Sequence, residues 1–570
     1  MIGVTLAPSV TLAPSGGWAS IHRPRHIIGP VSRLTICPNT MSTETNSPRL
    51  VLIAGAWREA AASGTFQATD PNVNTTIDVD FPVSSWSDCD AALDAAVDAA
   101  RELRRLPAAK IADFLERYAD RIEAAKESLS ETAFRETGLA KSPRLADVEL
   151  PRTSSQLRAA AKACRAGNWA VATIDSAAGI RSCYESLGPV CVFGPNNFPF
   201  AFGSLSGGDF AAAIAAGNPV IGKANSSHPE TTRLFAIEAA EAARETGLPA
   251  ATVQLIYRTS HADGERLVSD PRVGATGYTG SRSAGLKLKA AADAAGKPIY
   301  LELSSVNPVV VTPAALAERG DAIVDDFMTS ALMGAGQFCT NPGMVVLQAG
   351  TETESFIDAV KTRFENAPAG TLLSPAVCSS LSASISSLCG FGAELLTGGG
   401  QPESGRCAVA NTLLRASGSE FLGNPEGFQT EAFGNASLIV VADDADQVCD
   451  VIRHLEGNLT GCVFTANDGS DEDTYAKIAF ELTPKVGRIL NDKMPTGVAV
   501  SAAMNHGGPF PATGHPGFTA VGVPGSLIRF GKLTSFDAIR PHRLPALLQD
   551  ANMTPDTWRC IDGAWTQADA

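Results

Sequence analysis

Residues 190–224 read VCVFGPNNFPFAFGSLSGGDFAAAIAAGNPVIGKA. Two short runs rich in β-branched residues, VCVF and PVIGKA, flank an alanine-rich stretch that ends in Gly217, Asn218 and Pro219. The runs suit strands and the stretch between them suits a helix. Strand–helix–strand is the unit of a parallel, doubly wound sheet, which binds ligands at the carboxyl ends of its strands.

The same alternation continues outward. VQLIY, VGATGY and PIYLEL read as further strands; PETTRLFAIEAAEAARETG, ADGERLVSD and SRSAGLKLKAAADAA read as the helices between them. Upstream, residues 88–165 repeat apolar positions at three- and four-residue spacing, a helical pattern, and RETG closes one helix on glycine. A second αβ series, from MVVLQ to VGRILND, spans about 303–500. The fold class is therefore α/β, with two sequential α/β units, 47–303 and 304–500, and a cleft between them. Residues 501–570 begin with a long Gly- and Pro-rich segment, SAAMNHGGPFPATGHPGF, of the kind that serves a site or a subunit contact. Residues 1–46 carry a tandem TLAPS and no acid before Glu44. They read as a disordered extension or a start placed too early, a transit peptide being the other reading.

Composition removes whole classes of function. A formal charge of −15 leaves no positive surface for nucleic acid or an anionic membrane. No apolar run approaches the length needed to cross a bilayer. Twelve scattered cysteines without a CxxC pair fit a reducing cytoplasm better than a disulfide framework or a zinc ribbon, and no metal is expected.

Chemistry can be sought at a few positions. Cys339, in MGAGQFCTNPG, follows a predicted helix inside a glycine-flanked turn, and is either a reactive thiolate or a packing residue. Glu302 ends the strand YLEL, where a carboxylate is used, paired or solvated. Asn197 lies between a strand and the next helix, placed to donate to an oxyanion or to cap a turn. Gly280 and Ser281, in YTGS, open a helix whose free N–H groups suit a phosphate. Lys223 ends PVIGKA within reach of a ribose or phosphate, unless it is simply a surface lysine.

Taken in order, GPNNFP, AAGNPVIGK, YTGS, LELSS, GQFC and EAFG form one signature. From about residue 50 to about 545 the chain resembles the aldehyde dehydrogenase superfamily, and its flanking text resembles the NADP-preferring branch. The resemblance implies a Rossmann-type cofactor domain, an α/β catalytic domain and a strand arm, near 170–187, for oligomerisation. It makes Cys339 the nucleophile, Glu302 the general base, and Asn197 with the Cys339 backbone N–H the oxyanion hole. Lys223 would hold the adenosine ribose, Ser281 the pyrophosphate and Glu431 the nicotinamide ribose, with Phe433 beside the nicotinamide. It also implies a homodimer or homotetramer.

NAD-preferring relatives often place Glu three residues after the lysine. Ser226 here removes that repulsion of a 2′-phosphate, so NADP is expected, with NAD as the other option. The family's ELGG is Glu302-Leu303-Ser304-Ser305 here, and a side chain at 304 is expected to narrow the space around the carboxylate. The resemblance points to 2,5-dioxovalerate as substrate, with Arg152 or Arg158 receiving its distal carboxylate; both could equally be a solvated helix face. Phe198, Phe200 and Phe338 could instead shape a tunnel for fatty or aromatic aldehydes. A nucleotide-independent thiol hydrolase, a CoA-acylating dehydrogenase and a noncatalytic protein on the same fold are the competing classes.

Overall fold

Val190–Phe193 and Val220–Lys223 pair in parallel, Cys191 opposite Ile221, as the reading of 190–224 requires. The helix between them is shorter than expected, Gly208–Ala215. The preceding GSLSGG packs against itself: a Cβ on Gly207 would lie 2.4 Å from the Phe202 Cα. The computed structural model describes residues 47–399, 405–554 and 556–570. The expectations for residues 1–46 fall outside them.

Described residues from 47 onward belong to one compact unit. Its first sheet runs Ile299–Glu302, Ala275–Thr279, Val190–Phe193, Val220–Lys223, Val253–Ile256, with Val51–Ile53 and Ala56–Arg58 added antiparallel at the far edge. All five central strands are parallel. Ile221, Val192, Leu255 and Leu301 are buried, so these strands read as apolar runs rather than alternating ones.

The second sheet orders Glu394–Thr397, Thr412–Ser417, Ala436–Ala442, Met344–Gln348, Val309–Val311, Asn458–Phe464 and Val486–Asn491. Only its edge strand Glu394–Thr397 is antiparallel. The helices Trp86–Leu103, Ala108–Ala124, Lys126–Thr137 and Leu150–Ala166 realise the 88–165 pattern. Gly138 ends the third in the left-handed conformation, with φ of +68°.

The tail adds contacts to the sequence reading. Its Gly- and Pro-rich segment is irregular, but it binds to the first sheet: Leu303 N donates to Ala512 O and Gly514 N to Leu301 O. Thr513 thereby bridges Glu302. Further on, Gly531–Asp537 forms a strand antiparallel to Ile180–Ser186. That strand and Thr173–Asp175 form the expected arm, and Arg559–Ile561 and Ala564–Thr566 extend its sheet.

Candidate active site

The carboxyl end of Ile299–Glu302, the turn after the helix Pro313–Leu332 and the irregular tail converge on one point. There His506 Nε2 lies 3.4 Å from Cys339 Sγ and 2.9 Å from Glu302 Oε1. Glu302 and His506 side chains are each 1% exposed, so Glu302 is not a solvated strand-end acid. Its second oxygen, Oε2, is buried without a hydrogen-bond partner among the described residues. Burial, followed by the charge of Glu302, holds the Cys339 thiol well above its usual range. His506 Nε2 donates to the Glu302 carboxylate, so the group beside the thiol that can accept a proton is Glu302, held in place by the imidazole.

His506 escaped sequence reasoning, although its loop was singled out as functional. Two histidines, His506 and His515, in a Gly- and Pro-rich segment were the available signal. Its backbone is tied down by Thr519, whose Oγ1 accepts from His506 N, and by Ala520 N donating to His506 O.

Two buried scaffolds set the neighbouring loops. Asn307 adopts φ of +48° and donates from Nδ2 to the carbonyls of Cys339 and Asn341, both at 2.9 Å. Its Oδ1 accepts from Thr460 Oγ1, so the strained residue is held from both sides of the second sheet. Gln337 accepts from Leu373 N and donates to Thr371 O, fixing the chain two residues before the thiol.

Asn197 is held from another direction. Fully buried Glu149 accepts from the N–H groups of Phe200 and Ala201 and pairs with Arg144, whose Nη2 donates to Asn197 O. Neither Glu149 nor Arg144 was picked out from sequence. Asn197 Nδ2 donates to Gln337 O at 3.0 Å, which leaves its second N–H for another acceptor.

A cleft of about 830 Å³ opens from the thiol, lined by Asn197, Gly280, Ser281, Glu302, Cys339, Glu431 and Phe433 among others. This volume is in the range of small-molecule and cofactor sites. Ser281 caps the helix Arg282–Ala294 without a side-chain cap bond, so the first N–H groups face a suitable anion. Arg282 also lines the cleft, paired with Glu456. Burial pushes Glu431 up to about 7, partly offset by bonds from Ser305 N and the Ser304 side chain. Ser304 therefore engages Glu431, which is a different role from the expected crowding of Glu302.

Lys223 and Ser226 do not line this cleft; Ser227 represents their loop there. Burial, then the charge of Arg258, pushes Lys223 down to about 8. Lys223 Nζ also lies 5.4 Å from the centre of the Phe193 ring.

The two arginines separate. Arg152 donates to Val498 O at 2.6 Å, lies over Phe202 and keeps a buried Nη2 without a hydrogen-bond partner among the described residues. Its charge acts on the Cys339 thiol. Arg158, about 240° further round the helix, pairs with Asp120 and Glu123 on the exposed face instead. Phe198 and Phe338 meet edge to face at 5.2 Å and pack with Phe202 and Phe518 into an apolar wall. Phe200 is a correction: it meets Phe235 edge to face in the core of the first sheet.

Comparison with known proteins gives the following. The model for "Aldehyde dehydrogenase family" matches residues 57–508. Alpha-ketoglutaric semialdehyde dehydrogenase 2 of Azospirillum brasilense is 39% identical over 513 residues, covering 88% of this chain and 96% of its own. An alpha-ketoglutaric semialdehyde dehydrogenase of Acinetobacter baylyi is 35% identical, covering 85% of this chain and 93% of its own. Lactaldehyde dehydrogenase from Escherichia coli shares the fold, with a TM-score of 0.72 at 22% identity over 86% of this chain and 99% of that one. So does PnpE from Pseudomonas sp. WBC-3 in complex with nicotinamide adenine dinucleotide, at a TM-score of 0.73 and 22% identity over 87% and 100%.

Proposed function

Because this chain belongs to the aldehyde dehydrogenase family, we propose that it oxidises 2,5-dioxovalerate to 2-oxoglutarate with NADP. The observation that carries the substrate is Arg152, which keeps a buried Nη2 without a hydrogen-bond partner among the described residues and whose charge acts on the Cys339 thiol. A guanidinium there suits a carboxylate at the far end of a short aldehyde. The two semialdehyde dehydrogenases of similar sequence support the same choice.

In this reading the thiol proton leaves by way of the Glu302 carboxylate to water in the cleft, and the Cys339 thiolate attacks the aldehyde carbon. The second N–H of Asn197 meets the oxygen that gains charge. A bound nicotinamide dinucleotide would supply the hydride acceptor. The cleft, the Ser281 helix start and Glu431 fit such a group. The thioester left on Cys339 is opened by water, whose proton goes to Glu302 through its unpartnered Oε2.

Lys223 and Arg258, close enough for one charge to depress the other, with Ser226 between them in sequence, support NADP over NAD. We place the protein in the cytoplasm, where free thiols such as its described cysteines persist. The arm sheet exposes Leu533, Trp558 and Trp565, which supports assembly into a homodimer or homotetramer through it.

The phenylalanine wall favours a second substrate class, fatty or aromatic aldehydes. The thiol–imidazole pair would also suit a nucleotide-independent hydrolase. Initial rates on an aldehyde panel, with NADP, NAD or neither, separate these. The expected outcome is highest kcat/KM for the carboxylate-bearing semialdehyde with NADP. Arg152→Met should lower that value about 10- to 100-fold while sparing uncharged aldehydes. Equal or better kcat/KM with NAD would overturn the cofactor choice, and turnover without nucleotide would overturn the dehydrogenase reading.

A further inference from the structure

The thiol centre is also a ligand set. Cys339 Sγ, His506 Nε2 and one Glu302 oxygen all lie within 4.8 Å of one another. Two of the separations are 3.4 and 2.9 Å. Donors at the corners of a tetrahedral zinc ion, at its usual bond lengths, sit about 3.3–3.6 Å apart. The two separations to His506 lie within about half an ångström of that geometry, and the third stays within 4.8 Å. One thiolate, one imidazole and one carboxylate are the donors that a borderline-soft divalent cation takes, with a fourth position left open.

A second observation points the same way. Glu302 is 1% exposed and its Oε2 has no hydrogen-bond partner among the described residues. A buried carboxylate oxygen with nothing to accept from is a standing electrostatic demand for a cation or a proton. Glu302 and Cys339 both line the cleft, which gives an ion a path in. The charge of Arg152 acts on the thiol and opposes a cation, but two anionic ligands cancel the charge of a divalent ion.

We propose that Glu302, Cys339 and His506 bind one zinc(II) ion, reversibly closing the site to aldehyde. On binding, the Cys339 S–H bond breaks, an Sγ–metal bond forms and the proton leaves to bulk water. Nothing is oxidised or reduced. The ion occupies the sulfur lone pair that would attack the carbonyl and displaces His506 from the thiol. Zinc is therefore an inhibitor here, competitive with aldehyde and removed by chelation.

The cobalt titration uses the free protein without substrate, so the binding of the ion stands or falls apart from the proposed substrate. The chelator-treated full chain is titrated with cobalt(II) chloride, a spectroscopic stand-in for zinc. The expected result is a near-ultraviolet thiolate-to-cobalt charge-transfer band saturating at one ion per chain and abolished by added zinc chloride. Cys339→Ala should remove the band. His506→Ala and His506→Gln should each weaken cobalt affinity at least about tenfold, with thermal melting confirming that the variants fold. Cys389→Ser and Cys560→Ser, at half-buried thiols elsewhere, should leave the band unchanged. In turnover, zinc should raise the apparent KM for aldehyde without lowering kcat, and EDTA should restore the original value. No band, a band that survives Cys339→Ala, affinity unaltered in both His506 variants, or inhibition that lowers kcat alone would each overturn the proposal.

Discussion

The two ends of the cleft are built differently. At the thiol end, Cys339, Glu302, His506 and Asn197 come from four segments, and each is fixed by bonds to buried groups. At the other end, Ser281 opens a helix with its first N–H groups free of a side-chain cap, and Lys223 and Ser226 lie off the cleft wall. The contrast follows from what each end must do. Covalent chemistry needs reacting atoms held to fractions of an ångström before substrate arrives. A cofactor face can be completed by the ligand, whose phosphates satisfy the waiting donors.

The sharpest break of the closed end is Cys339→Ala, which should leave no measurable dehydrogenase activity while nucleotide binding persists in a fluorescence titration. His506→Ala comes next. Removing the imidazole that holds the Glu302 carboxylate should lower kcat about 10²- to 10⁴-fold, with a smaller change in the KM for nucleotide. Asn197→Ala should cost about 10²- to 10³-fold in kcat, measured under saturating substrate.

Glu149→Gln probes the scaffold rather than the chemistry. It leaves the buried Arg144 charge without its counter-ion. Stability should fall by about 3 kcal/mol, read as a lower melting temperature, with kcat falling as the Asn197 loop loosens. The mildest test belongs to the open end. Lys223, held down to about 8, is charged below that pH and neutral above it. The KM for NADP should therefore rise as pH passes upward through 8, and the KM for NAD should change less. Lys223→Met should flatten that rise.

Much of the closed end was legible in the chain. Glu302, Asn197 and Cys339 sit at strand ends and glycine-flanked turns, positions that local pattern exposes. His506 was not, because its loop has no periodicity and finds its place only by bonding to the edge beside Glu302. Glu149 and Arg144 were hidden for a related reason: both lie in a helical stretch where charged residues ordinarily face water. Arg152 and Arg158 looked equivalent, and only helix packing sent one inward and the other to Asp120 and Glu123.

By itself, then, the sequence determined the order of strands and helices and the parallel sheets, because apolar runs and glycine turns act over a few residues, and its likeness to the aldehyde dehydrogenase family singled out Cys339 as the proposed nucleophile. Tertiary structure alone decided the partners of those groups. It set an imidazole 204 residues downstream against the carboxylate, placed a second carboxylate under the loop that carries Asn197 and put Ser304 beside Glu431. Contacts across such distances are fixed by burial and hydrogen-bond satisfaction, and no local pattern encodes them.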